Sequence, residues 1–412
     1  MKKVIALILA IIFLIPAIPA YAAGPVVTAP SAILIDAKSG KILYEKNANA
    51  KMYPASTTKV MTGILAVEYG KFDEVVTVGV NPSTKIERGS SQISLVPGEQ
   101  LTMEQLLYGL MLESANDAAI AIAEQISGSV PEFAALMNAK AKALGATNTN
   151  FVNPNGLHDD NHYTTAHDLA MIAKYGMTLP KFREVVSTVK YTIPQTNKQP
   201  ARDYITNGNK LIWKTADKYR YEYATGIKTG YTTKSKHCLV GGAKKGDVEL
   251  ISVIMGAEGS NMYTDTTSLF DYGFANYQNV DLVKKDQIVT TASVKGSDEK
   301  FNLLAADNFT TLLGNDERDK VKSDITVKEN LEKPIKKGEV LGTVTYKLDD
   351  KELGKVDLLS SVELEKPVLM KKTNWTWIIY VIVIFLIYRT IITIIKRRKR
   401  RKRRNMIYVK RY

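Results

Sequence analysis

Ser56-Thr57-Thr58-Lys59 carries the first chemistry in this sequence. A serine and a lysine three residues apart on a helix are about one turn from each other, so hydroxyl and amine share a face. A serine alone is a weak nucleophile. A lysine beside it accepts its proton only when the amine is neutral, through desolvation or the nearness of another cation. Alone, the pattern is more commonly that of two polar residues at a helix start, and two further patterns bear on it. Ser114-Ala115-Asn116 sets a hydroxyl and a carboxamide around one residue at a break between helical runs, where both can point into one cleft. Lys228-Thr229-Gly230 offers a cation, a hydroxyl and a glycine at the start of a strand, and the glycine admits another backbone or a ligand. Serine, base, second proton carrier and cationic strand together describe acyl transfer.

The elements that must hold these residues follow from periodicity and caps. Ser31–Asp36 and Lys41–Glu45 read as a hairpin of two strands, and the apolar-periodic run after Lys59 as a helix closed near Gly70. Phe72 to Glu99 reads as short strands and turns. Thr102 starts a helix through Leu112 with Glu104 in its first turn. After Ser114-Ala115-Asn116 a second helix covers Ala118 to Ile126, and a third, scaffold helix covers Pro131 to Leu144. Thr165 and Asp168 form a capping box for a helix from Ala166 to Tyr175. Lys181 to Tyr223 is polar and aromatic and reads as strands and long loops; Lys228 would begin a strand, followed by runs at His237–Ala243 and Val248–Met255 and a helix over Thr266–Tyr277. His158, His162 and His167 invite a zinc reading. The Asn153-Pro154-Asn155-Gly156 turn denies His158 and His162 a shared helix face and no H-E-x-x-H pattern occurs, so no metal is expected.

The two ends differ in kind from the body. Lys2 and Lys3, an apolar run from Val4 to Ile18 and Ala20-Tyr21-Ala22 make a signal peptide of residues 1–22. Residues 375–395 are almost wholly apolar, long enough to span a bilayer, with Arg389 near enough to the end to snorkel. Nine consecutive cations, Lys396 to Arg404, follow in the tail 396–412; directly behind an apolar span they read as a cytoplasmic, positive-inside flank and not as a nucleic-acid patch. Of the 56 Lys and Arg residues, two lie in the signal segment and twelve from Arg389 on, which leaves 42 cations against 42 anions. The net charge of +14 therefore belongs to the ends, and no nucleic-acid partner is expected. Cys238 is the one cysteine, so no intrachain disulfide forms; its apolar surroundings make it a core thiol. From Gln278 to Lys371 short alternating segments, with Asp349-Asp350 as a turn, indicate a small β domain between body and membrane.

In this order, Ser56-x-x-Lys59, Ser114-x-Asn116 and Lys228-Thr229-Gly230, with a signal peptide and an anchor, resemble the penicillin-interacting active-serine enzymes. Within them the chain is similar to the low-molecular-mass penicillin-binding proteins that are serine-type D-alanyl-D-alanine carboxypeptidases. The resemblance implies an α+β fold of the penicillin-binding-protein/β-lactamase kind, with a five-stranded antiparallel sheet covered by helices and a helical lobe across the cleft. It implies a catalytic domain at 28–277, a β-rich domain at 278–371 and a transmembrane helix at 375–395. Ser56 would be the nucleophile, Lys59 its base and Ser114 the relay to the leaving amine. Asn116 would bind Lys59 and the substrate amide. Lys228 would keep the site cationic, Thr229 would hold the terminal carboxylate beside Gly230, and the backbone N–H groups of Ser56 and Tyr231 would form the oxyanion hole. The implied substrate is the peptidoglycan stem peptide, with β-lactams as covalent inhibitors, no cofactor, and a cell-membrane location with the catalytic body outside.

Two departures stand out. Many relatives carry an arginine shortly after the strand that ends here at Met255, and Gly256 to Phe270 contains none; many end in an amphipathic helix instead of a span. A serine β-lactamase shares the three motifs but usually needs a deacylating glutamate, and Asn153 to Asp168 holds no E-x-x-x-N pattern. A tethered wall-binding protein without catalysis would leave Ser56 inert to penicillin.

Overall fold

The computed structural model describes residues 24–213, 215, 218–297, 299–366 and 375–409. The expected signal peptide, residues 1–22, lies outside them. Strand β1, Ser31–Asp36, is buried along its whole length, the continuous apolar pattern of a strand covered on both faces. It pairs antiparallel with β2, Ile42–Lys46. A single 3-10 turn, Ala55–Thr58, leads into α1, Lys59–Tyr69, whose first eight residues are all buried. Gly70 ends α1 in extended conformation; it is glycine because a Cβ there would lie 2.6 Å from the Ala66 carbonyl oxygen and from Met103 Cγ.

Strand β3, Val75–Thr77, pairs antiparallel with β4, Gln100–Thr102, and a short helix that the periodicity did not suggest, α2 at Asn81–Thr84, lies between them. Helix α3, Met103–Met111, starts on a reciprocal box in which Thr102 Oγ1 accepts from Gln105 N and Gln105 accepts from Thr102 N. Helices α4, Asn116–Ser127, α5, Val130–Ala143, and α6, Ala166–Gly176, follow. The capping box expected at α6 is only half formed. Thr165 accepts from Asp168 N, but the Asp168 carboxylate instead accepts from Asn148 N and the Thr149 hydroxyl, both contacts of a loop distant in sequence.

Helix α7, Pro180–Ser187, occupies ground expected to be strand and loop: Pro180 sits in its first turn and Phe182, Val185 and Val186 are buried. Strands β5, Lys190–Ile193, and β6, Arg202–Thr206, then form a hairpin. Strand β7, Ala224–Thr232, starts four residues before Lys228, correcting the expectation that Lys228 begins the strand. Gly226 and Ile227 take positive φ at a register shift, and that irregularity hides the strand's first half. Strands β8, Lys236–Lys245, and β9, Val248–Ala257, and helix α8, Asn261–Asn276, complete this region, α8 starting five residues before the expected Thr266.

The central sheet runs β2-β1-β9-β8-β7, every pair antiparallel. Period-two alternation sends Ile33, Ile35, Ile251 and Val253 into a core with α1 and α3 to α7, and Ala32, Leu34, Leu250 and Ile254 into a second core with α8. Each buried isoleucine, leucine or valine among these stabilises the layers by about 1.5–3 kcal/mol. The sheet is thus held between two helical layers, with β7 at one edge.

Beyond α8 lie β10, Tyr277–Val283, β11, Ile288–Ser293, β12, Lys300–Ala305, β13, Phe309–Gly314, β14, Lys322–Val327, β15, Val340–Leu348, and β16, Lys351–Ser360. Asp349 and Asp350, both at positive φ, turn β15 into β16 as expected. Among the described residues, those up to Val289, Leu304–Thr326 and Gly342–Leu358 make one compact unit; those of Thr290–Leu303, Val327–Leu341 and from Leu359 on make another. Inside the larger unit, β10 pairs antiparallel with β13. Lys41 forms an ion pair with Glu317 and donates to the Leu312 carbonyl at 3.3 Å, and Leu312 is buried in the second core, so β13 is fixed to the end of the central sheet. In the smaller unit Lys295 N donates to the Leu331 carbonyl at 2.8 Å. Helix α9, Thr376–Val409, exposes most of its apolar residues between Trp377 and Ile395, and over Thr376–Arg404 it is long and apolar enough to cross a membrane.

Candidate active site

The turn before α1 places Ser56. Ala55 takes φ +49°, a left-handed conformation unfavourable for a residue with a Cβ, and Thr57 ties the turn by donating both its N–H and its hydroxyl to the Pro54 carbonyl. Three residues on, Lys59 is wholly buried, and its Nζ lies 3.0 Å from Ser56 Oγ, 2.7 Å from Asn116 Oδ1 and 2.7 Å from the Asn155 carbonyl oxygen. A carboxamide oxygen and a carbonyl can only accept. A neutral amine has two N–H bonds and one lone pair, so with both hydrogens committed to Asn116 and Asn155 its lone pair is left for the Ser56 hydroxyl. The site also favours neutrality: burial pulls the Lys59 pKa well below its ordinary value, the Lys228 charge pulls the same way, and Asp117 opposes both.

Ser114 stands between α3 and α4 at φ +62° and lines the same cleft as Ser56. Asn116 is the first residue of α4, its N–H held by the Ser91 carbonyl at 2.9 Å. Asp117 is buried and accepts from the N–H groups of Ile93, Leu95 and Ala118 at 3.1, 2.9 and 2.9 Å. It pins the segment that follows the cleft-lining Ser91 to α4, and burial raises its pKa.

Strand β7 supplies the opposite wall. Lys228 is buried and donates to the Thr229 carbonyl at 3.0 Å; burial pushes its pKa down to about 7, with Glu113 opposing. Thr229, Gly230 and Tyr231 line the cleft, whose volume is about 790 Å3. Gly230 permits the approach: a Cβ there would lie 2.9 Å from the Ser56 and Thr57 backbone nitrogens. Tyr231 turns its ring outward onto His237, centroids 4.5 Å apart. From the 181–223 segment, Thr206 and Gly208 reach the cleft, and a Cβ at Gly208 would lie 3.2 Å from Thr229 Oγ1.

Ser56, Lys59, Ser114, Asn116 and Lys228 to Tyr231 are therefore brought together. The residues that sequence reasoning passed over belong to the Asn153–His158 turn. Asn153 Oδ1 accepts from Gly156 N at 2.7 Å and Asn155 Oδ1 from Leu157 N at 3.1 Å, which aims the Asn155 carbonyl at Lys59. Thr62 fastens the turn through the Pro154 carbonyl at 2.6 Å. Gly156 sits at φ +83° with a hypothetical Cβ only 1.9 Å from the Ala55 oxygen. The run of Asn, Pro and Gly signalled a turn; its backbone acceptor left no trace in side-chain types.

The three histidines are used separately. His162 is buried with its pKa lowered to about 4; Nδ1 accepts from Val152 N at 3.0 Å, so Nε2 carries the hydrogen and donates to Thr58 Oγ1 at 2.9 Å. His158 packs edge-on against Tyr53, and His167 lies 3.4 Å from Asp168. Among the described residues no group of three His, Cys, Asp or Glu could hold a metal ion.

Residues 19–259 match the family described as D-alanyl-D-alanine carboxypeptidase, and residues 277–366 match the C-terminal domain of penicillin-binding protein 5. The chain is 37% identical over 360 residues to D-alanyl-D-alanine carboxypeptidase DacF of Bacillus subtilis, covering 85% of this chain and 90% of that protein. It is 33% identical over 367 residues to DacC of Escherichia coli, covering 84% and 88%. Penicillin-binding protein 5 from Haemophilus influenzae superposes with a TM-score of 0.67 at 30% identity, covering 84% of this chain and 99% of that one.

Proposed function

From the premise that this chain belongs to the D-alanyl-D-alanine carboxypeptidase family, we propose how its own residues divide the removal of the terminal D-alanine from a peptidoglycan stem pentapeptide. Neutral Lys59 takes the Ser56 proton as Oγ attacks the carbonyl carbon of the penultimate D-alanine. The oxyanion that forms is held by the backbone N–H groups of Ser56 and Tyr231. The proton passes from Lys59 through Ser114 to the nitrogen of the leaving D-alanine, the C–N bond breaks, and an ester remains on Ser56. Water then adds to the ester, gives its proton to Lys59, and Ser56 leaves with a proton restored. Asn116 orients Lys59 and the substrate amide, Lys228 disfavours the charged form of Lys59, and Thr229 donates to the terminal carboxylate. A β-lactam enters by the same first attack, but its leaving nitrogen stays tethered to the acyl group.

The observation that carries this reading is the Lys59 amine, whose two fixed acceptors leave its lone pair facing Ser56 Oγ. The apolar stretch of helix α9, with Trp375 and Trp377 at its start and the cations from Lys396 to Arg404 at its end, supports a single-pass membrane anchor with the body outside the cell and the tail in the cytoplasm. Mass spectrometry after benzylpenicillin treatment tests the assignment. The adduct is expected on the peptide containing Ser56 and absent, with D-alanine release, from Ser56→Ala. An adduct on Ser114 would overturn the roles.

A further inference from the structure

The charged side chains lining the cleft are Glu87, Arg88, Glu113 and Lys234. Glu87 and Arg88 are adjacent and offset each other at a distance. Glu113 is half-buried with its pKa raised by burial, and it answers Lys228. Lys234 is left over. It is exposed, and among the described residues it has no ion pair or hydrogen bond, whereas nearby Lys236 has Glu258 at 3.6 Å.

Its place is fixed. Lys234 sits in the turn between β7 and β8, where Thr232 N donates to Ser235 Oγ at 3.0 Å, Ser235 N donates to Thr232 Oγ1 at 3.0 Å, and Ser235 is buried. β7 is the edge strand beside Ser56, so an extended substrate can add to it antiparallel. This step rests on the function proposed above. With the terminal carboxylate at Thr229 and the scissile carbonyl at Tyr231, each residue upstream advances about 3.3 Å toward Thr232 and the turn.

We propose that Lys234 binds a second carboxylate of the stem peptide, upstream of the D-Ala-D-Ala pair, and so selects stems that are acidic there. Such a carboxylate has two sources: the side chain of a diaminopimelate third residue, which a lysine lacks, or the free carboxylate of a γ-linked second residue.

The test measures kcat/KM for D-alanine release from four pentapeptides: third residue lysine, third residue diaminopimelate, diaminopimelate with its side-chain carboxylate amidated, and diaminopimelate with the second-residue carboxylate amidated. Benzylpenicillin acylation, measured alongside, reports an intact Ser56 site. Amidating the recognised carboxylate should lower kcat/KM about three- to fivefold, as for an exposed charge pair. Whichever amidation does so identifies the source. In Lys234→Glu the preference should reverse, favouring the amidated peptide, which a purely structural lysine would not produce. Equal rates on all four peptides, or an unchanged preference in Lys234→Glu, overturns the proposal while leaving the carboxypeptidase reading intact. No release from any peptide together with an unreactive Ser56 overturns both.

Discussion

Gly156→Ala isolates the contribution of the Asn155 carbonyl. The added Cβ would begin 1.9 Å from the Ala55 carbonyl oxygen and 2.5 Å from its carbon, both backbone atoms that cannot swing aside. Reaching an ordinary nonbonded separation of about 3.5 Å moves the turn back by roughly 1.5 Å. A 2.7 Å hydrogen bond does not survive that displacement, so Lys59 loses one of its two fixed acceptors. The unsatisfied N–H costs about 1–3 kcal/mol, and a misplaced base of this kind lowers rate about 100-fold. Gly145 is the control: its φ of +80° matches the +83° of Gly156, but nothing lies within 4 Å of its hypothetical Cβ. Both variants incur the left-handed strain of about 1–2 kcal/mol, and only Gly156→Ala meets the clash. Second-order acylation by benzylpenicillin, followed by stopped flow with a melting curve for each variant, should show a slow Gly156→Ala and a Gly145→Ala of normal rate. Equal rates in the two variants would refute the role given to the Asn155 carbonyl.

Thr229→Val keeps the strand shape and removes the hydroxyl; kcat/KM should fall about 10- to 150-fold on D-Ala-D-Ala peptides and little on the C-terminally amidated peptide, equal losses showing a role in strand position instead. Acylation should rise with pH as Lys59 loses its proton at its lowered pKa, and in Lys228→Met, where one cause of that lowering is gone, the rise should move to higher pH. A rate flat from pH 5 to 9 would contradict a lysine base. Stability should respond as well: Lys228 has a folded pKa of about 7 against an ordinary 10.5, so between these values the unfolded chain binds more protons and stability increases with pH. Urea melts should give a slope of up to about 1.4 kcal/mol per pH unit from this group, reduced in Lys228→Met; an equal slope in that variant would refute a buried, titrating Lys228.

The parts of the fold legible in the sequence are those with local signals. The β1–β2 hairpin carries two apolar runs and a turn, and Thr102 with Glu104 in the first turn marks the start of α3, although its reciprocal partner Gln105 shows only in the structure. The site motifs were legible because their chemistry lies in side chains. A backbone carbonyl has no such signature, which is why Asn155 was passed over although its turn was found. The Asp168 carboxylate could not be assigned from sequence because its partners, Asn148 and Thr149, approach only in the fold. Helix α7 did leave a signal, Pro180 followed by Phe182, Val185 and Val186 at helical spacing, among polar neighbours that pointed to loop. β14, by contrast, buries no residue fully, and Ile325 and Val327 are its two apolar residues, too short an alternation to mark a strand.

Cys238 lies opposite Gly230 in the β7–β8 ladder, with no exposed surface and a thiol pushed up to about 11. Alkylating reagents attack thiolate, so the native protein should be almost inert to them at neutral pH. Labelling must wait until β8 parts from its neighbours. As the sequence has one cysteine, the alkylation rate becomes a clock for local opening at the catalytic edge of the sheet. Timed before and after acylation, that clock would read how far a bound acyl group tightens the strand that receives it.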